Sequence, residues 1–175
     1  MTIILSFPEP TRLIRAAFAD LDIARSGDEA ATADLGPLSD LPRPWDPPTC
    51  PPTLRQELWL WLDTVASWIN RGYCWQADQC IPGCWPVHPH IAHELVVVAA
   101  LRFEAGRALS ANGLEEWHQY TLPGFLDRMS NRLGGNGCPP GKHQECPAAG
   151  RHRNFESTEC LARRVEAFSS DTRSH

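Results

Sequence analysis

The chain has 175 residues, with 16 basic side chains against 21 acidic ones and a formal net charge of −5. That length suits one domain with a real core, and that charge excludes a polycation that coats nucleic acid by electrostatics alone. The first residues, Met1 to Pro8, are too short for a signal peptide and lack its basic start, so a cytoplasmic location is expected. The seven cysteines are then buried thiols, metal ligands or reactive groups rather than a disulfide framework.

Helical periodicity dominates the chain. From Thr11 to Arg25, Leu13, Ile14, Ala17, Phe18 and Leu21 recur at spacings of three and four, and Ser26-Gly27 supplies a stop. Asp28 to Pro52 is dense in proline and poor in large apolar residues, so it reads as an extended linker with neither helix nor central strand. Trp45 is its expected anchor. A second helix opens at Thr53 with Gln56 completing a capping box. Leu54, Leu58, Trp61, Leu62, Val65, Trp68 and Ile69 form its apolar stripe, and Asn70-Arg71-Gly72 should end it with glycine in the left-handed region.

A stretch rich in ligands follows. Tyr73 to Glu94 holds three cysteines, two tryptophans and three histidines, too many for an ordinary linker. A third helix should begin at His88-Pro89 and reach about Leu109. Ile91, Leu95, Val98, Leu101 and Ala105 make one face, and the other faces are apolar enough for a central position. A fourth helix is expected from Leu114 to about Leu133, with a break near Leu122-Pro123-Gly124. Its core residues would be Trp117, Tyr120, Phe125, Leu126, Met129 and Leu133.

Gly134 to Asn154 contains no Leu, Ile, Val, Met or aromatic residue and cannot order itself by hydrophobic burial. A short final helix near Ser157 to Phe168 could dock through Leu161, Val165 and Phe168. These elements define an all-α chain: an irregular bundle of about four main helices, with a proline-rich insertion and an irregular Cys/His tail. The expected divisions are an N-terminal helix to residue 27, a linker at 28–52, a helical core at 53–133 and a tail at 134–175.

Trp68, Cys84, Trp85, His88, Pro89, Leu95 and Trp117 together resemble the pattern of a family of small actinobacterial proteins encoded on plasmids, integrated elements and prophages. That pattern is a Cys-Trp pair, Trp-x-x-His-Pro opening an alanine- and leucine-rich helix, and a later tryptophan. The resemblance spans about Leu54 to Met129. Where such proteins carry an acidic residue after His-Pro, this chain has His90. The resemblance implies an accessory protein of a mobile element; the family brings no established activity.

Two Cys/His clusters carry possible metal chemistry. Zinc takes four nitrogen or sulfur ligands in a tetrahedron. Cys138-x4-His143-x2-Cys146-x5-His152 lies in the segment that lacks a core, where metal binding could supply the folding energy. Cys80, Cys84 and His88 form an alternative set; there the competing reading is buried thiols with His88 capping its helix. Glu115-x-x-His118 is one pair where a di-iron bundle needs two. No catalytic elbow or phosphate loop appears, and no catalytic or cofactor-binding residue emerges. Arg151, Arg153, Arg163 and Arg164 could touch nucleic acid, but Glu156, Glu159 and Glu166 interleave with them, as on a solvated face.

The expected function is a non-enzymatic accessory or protein-interaction protein, with zinc as its possible cofactor and no membrane association. Nucleic-acid association through the C-terminal arginines is the alternative, and a metal-dependent enzyme the third class. Exposure of Trp59 or Trp75 would favour the protein partner.

Overall fold

The computed structural model describes residues 4–134, 138–139 and 141–173. Most of the Gly134–Gly137 run and the first three residues lie outside that set. The described residues form helices joined by turns and loops, with no strand among them. They fall into two compact units, Met1–Pro140 and Gly141–His175.

In the first unit, α1 (Arg12–Ser26) is capped by Thr11, whose hydroxyl accepts from the Ile14 amide at 3.5 Å and donates to Glu57. It ends at Gly27, whose φ of 71° only glycine adopts at no steric cost. Ile14, Ala17, Phe18 and Leu21 are its buried face. The proline-dense segment is not an extended linker. It holds a one-turn helix, α2 (Glu29–Thr32), capped by Asp28, and three 3₁₀ turns at Ala33–Leu35, Leu38–Asp40 and Pro47–Thr49. Helix forms at Glu29–Thr32 because the prolines begin only at Pro37. Trp45 anchors the segment, packing 6.0 Å from Phe18.

Helix α3 (Pro52–Gly72) starts one residue before the expected cap. Pro52 occupies its first turn, where a missing amide costs little, and Pro51 at the cap position has no side-chain acceptor to offer. Its stripe is buried as expected, from Leu54 to Ile69. Gly72 stays within the helix rather than turning left-handed, and Tyr73 ends it at φ −130°. Asn70 then closes the following loop: its amide donates to the Ile81 carbonyl at 2.9 Å and accepts from the Ile81 amide at 2.8 Å.

Helix α4 (Pro89–Arg107) is central. Ile91, Leu95, Val98 and Ala105 are buried together with Val96, Ala99, Ala100 and Phe103. Leu101 departs from its expected burial: with Val97 one turn earlier it forms an exposed strip, 42% and 40% accessible. The fourth rod is α5 (Asn112–Glu116), a π-helical turn at Trp117–Thr121, and α6 (Leu122–Leu133). The wide turn is the expected break. Pro123 cannot donate to Gln119, and loosening the spiral there removes the clash between its ring and the preceding turn. Trp117, Phe125, Leu126 and Met129 are buried, whereas Tyr120, carried around by the widened turn, is exposed. Arg128 and Arg132 of α6 both pair with Glu94 of α4.

The segment before α1 is pinned by two indoles. Trp61 donates to the Pro8 carbonyl at 2.9 Å and Trp68 to that of Leu5 at 3.1 Å. No helix among the described residues is long and apolar enough to cross a membrane.

The second unit contains α7 (Ala149–Phe155), a helix where irregular chain is expected, and α8 (Thr158–Arg173). Arg164 joins them, lying 3.9 Å from the Phe155 ring and donating to its carbonyl at 2.8 Å. Leu161, Val165 and Phe168 are exposed rather than docked.

Candidate metal centre

The loop between α3 and α4 ends in a 3₁₀ turn, Trp85–Val87. The Val87 amide bonds to the Cys84 carbonyl and the His88 amide to that of Trp85, both at 3.1 Å. This tight turn folds Cys84 back beside His88, so their side chains meet across a spacing of four. Trp85 fastens the turn to α3: it is buried, donates to Asp63 at 3.3 Å and packs 5.6 Å from Trp59. Pro89 then starts α4, and the His88 carbonyl takes the first helical bonds from the Ile91 and Ala92 amides. The expected cap from the His88 ring is not made; the ring is turned to sulfur instead.

His88 is buried, and its Nε2 lies 3.3 Å from Cys84 Sγ and 3.2 Å from Cys138 Sγ. Cys138 arrives from the far end of α6. Gly134, at φ 73°, terminates that helix, and Ser130 near its end donates to Asp78 of the α3–α4 loop at 3.0 Å. Two distant parts of the first unit thus deliver three ligand atoms to one place. Burial pushes the Cys84 thiol above its ordinary range, and the adjacent Cys138 sulfur pushes it further the same way.

A tetrahedral zinc ion with bonds of about 2.0–2.3 Å requires neighbouring ligand atoms about 3.5 Å apart. The two sulfur–nitrogen separations are close to that edge. The residues that could hold a metal ion are Cys84, His88, Cys138 and, through the Cys138-x4-His143 spacing, His143. This is the one such Cys/His/Asp/Glu group among the described residues.

The grouping cuts across both expected clusters and takes two members of each. Cys84 and His88 come from the first, while Cys80 is exposed, with its thiol 3.9 Å from the Gln76 carbonyl. Cys138 and His143 come from the second. Cys146 is exposed and His152 faces Glu156 at 3.3 Å within the second unit; neither belongs to the group. His88 and Cys138 are 50 residues apart, so neither cluster taken alone could reveal the set. The legible signal was the repeated Cys-x3-His and Cys-x4-His half-pattern.

The remaining candidates are engaged elsewhere. Glu115 accepts from Gln119 at 3.2 Å, and His118 lies edge-on to Trp117 at 5.1 Å. Arg163 pairs with Glu159 at 2.6 Å and Arg164 is held by Phe155. His90 packs 5.8 Å from His88, and burial, then Arg132, holds its ring below the ordinary histidine value. Trp75, at the tip of the loop, is 95% exposed.

Comparison with protein-family profiles, curated proteins and solved structures returns no match.

Proposed function

We propose that the protein is a non-enzymatic accessory or protein-interaction factor, stabilised by one zinc ion held by Cys84, His88, Cys138 and His143. The observation that carries this reading is the placement of His88 Nε2 between two sulfurs. A neutral imidazole nitrogen offers one N–H or one lone pair, which cannot serve two thiols equally well. A cation placed among them is bound by all three at once. The thiols would then be held as thiolates, reversing at Cys84 the upward push that burial gives it.

Four protein ligands leave no open position, and closed zinc sites are structural rather than catalytic. Such an ion would tie the chain after α6 to the start of α4 without hydrophobic burial. Exposure of Trp75 supports the interaction role, because a large indole left in water is available to a partner. The mobile-element origin rests on the Trp68, Cys84, Trp85, His88, Pro89, Leu95 and Trp117 pattern.

The test is metal content after purification without affinity-tag metal. One zinc per chain is expected, lost in Cys84→Ser and Cys138→Ser and kept in Cys80→Ser and Cys146→Ser. Cobalt substitution should give the intense visible bands of tetrahedral thiolate coordination. A metal-free protein that takes up neither zinc nor cobalt overturns the site. Zinc retained by Cys138→Ser but lost by Cys146→Ser would reassign the ligands.

A further inference from the structure

Among the described arginines, Arg102 is the one set against three aromatic rings. It projects from α4 into a nest of aromatic rings, its guanidinium carbon 5.1 Å from Phe7, 5.8 Å from Trp68 and 5.7 Å from Trp117. A guanidinium carries five N–H donors in a rigid fork. Among the described residues no carboxylate pairs with Arg102, and its Nε is sealed from solvent without an acceptor. Ring faces attract the cation but accept little of its hydrogen-bonding capacity. Arg25, Arg107, Arg128 and Arg132 all have carboxylate partners.

The surroundings make room for this group. Gly106 follows Arg102 by one helical turn, and a Cβ there would lie 2.9 Å from the Arg102 Nη1. Glycine lets the fork lie along the helix. The fork faces a cavity of about 590 Å³, walled by Phe7 and Phe103 and flanked by Arg15, Arg107 and Glu9. Arg15 gives one donor to the Pro10 carbonyl at 3.0 Å, and Arg107 gives one to Asp22 at 2.7 Å. Each keeps further donors.

This combination has a chemical meaning. Three guanidinium groups against Glu9 and the Asp22 carboxylate that already holds Arg107 leave the cavity with a net positive charge. The fork geometry matches the paired oxygens of a phosphate. The volume lies within the range of small-molecule sites and exceeds what a bare inorganic ion needs. Phe7, only partly buried at the same cavity, offers a surface for a flat apolar body, while Phe103 is buried there with Arg107 over its ring.

We propose that this cavity binds a small organic phosphate of the mononucleotide class, with Arg102 as the primary phosphate contact and Phe7 against the base. The site shares no residue with the metal group, so each can fail alone. Its indoles supply a direct readout: Trp68 and Trp117 touch Arg102 and should report occupancy by fluorescence.

The experiment titrates the four ribonucleoside monophosphates into the full-length chain, with nucleosides and inorganic phosphate as controls, followed by tryptophan fluorescence and calorimetry. At least one monophosphate should bind saturably, at least tenfold tighter than its nucleoside and than phosphate. Arg102→Met, which keeps the aliphatic bulk among the rings, should weaken it at least tenfold. Gly106→Ala should weaken it also, by displacing the fork, and serves if the Met variant fails to fold. Absence of saturable binding by all four, or equal affinity in the folded variants, overturns the proposal. Equal binding of nucleoside and nucleotide would show that the arginines read no phosphate and overturn it too.

Discussion

The indole of Trp117 donates to the carbonyl oxygen of Val98 at 2.9 Å, and both residues are buried. The bond fixes the π-helical turn against the middle of α4. That carbonyl belongs to a helix interior, so it can also serve its own helical amide. Trp117→Phe keeps an aromatic ring but leaves the carbonyl with its helical partner alone. It should cost about 0.5–1.5 kcal/mol, the usual net value of such a bond. Trp117→Ala should cost about 3–5 kcal/mol through the cavity it opens. Equilibrium denaturation separates the two; an unchanged stability in Trp117→Phe would show that the indole nitrogen contributes nothing.

Leu62 and Leu101 form a matched pair for the core. Leu62 is fully buried in α3, and Leu101 is 42% exposed on α4. Leu62→Ala should destabilise by about 2–5 kcal/mol. Leu101→Ala leaves a much smaller void and should cost under about 1 kcal/mol. Denaturation midpoints with unchanged slopes would carry the comparison.

His118 provides the pH dependence. Partial burial, then the charge of Arg102, holds its ring below the ordinary histidine value. A depressed folded value means that the unfolded chain takes up the proton first. The contribution to stability is therefore complete above about pH 6.5 and declines as the pH falls through that ordinary value. Arg102→Met removes the second cause and should move the His118 titration upward, read from its imidazole proton shifts. An unmoved titration would mean that the two groups do not interact.

Cys74 should be the slow thiol of the loop. Burial, and then the neighbouring Cys80, pushes it up to about 12, and its Sγ lies 3.2 Å from the Gln79 carbonyl. Since the thiolate is the nucleophile, iodoacetamide near pH 8 should label exposed Cys80 and Cys146 well before Cys74. Denaturant should abolish the difference. Cys74 labelled as fast as Cys80 in the native protein would contradict its partly buried placement.

The helices were legible where periodicity alone sets them. Ile14 to Leu21, Leu54 to Ile69 and Phe125 to Met129 fall on buried faces as their spacing demands. Capping was less legible around proline: Thr53 looked like a cap, but Pro51 and Pro52 put the helix start one residue earlier. Leu101 shows a different limit. On a helix apolar nearly all round, spacing cannot say which strip its neighbours leave open. The metal group was half legible twice over, because its four members were recognisable in two clusters that only tertiary structure regroups. The Arg102 cavity left no local signal, since its rings come from Phe7, Trp68, Phe103 and Trp117, scattered along the unit.

The paired bonds between Asn70 and Ile81 divide the α3–α4 connection into two short closures. One carries Trp75; the other carries Cys84 and His88. Each is tethered at both ends, so lengthening the first adds little closure entropy to the second. The exposed tip can therefore change in length and composition while the ligand-bearing turn keeps its shape. Under the interaction role proposed above, such a tip could be exchanged for another, generation after generation, over an unaltered foundation.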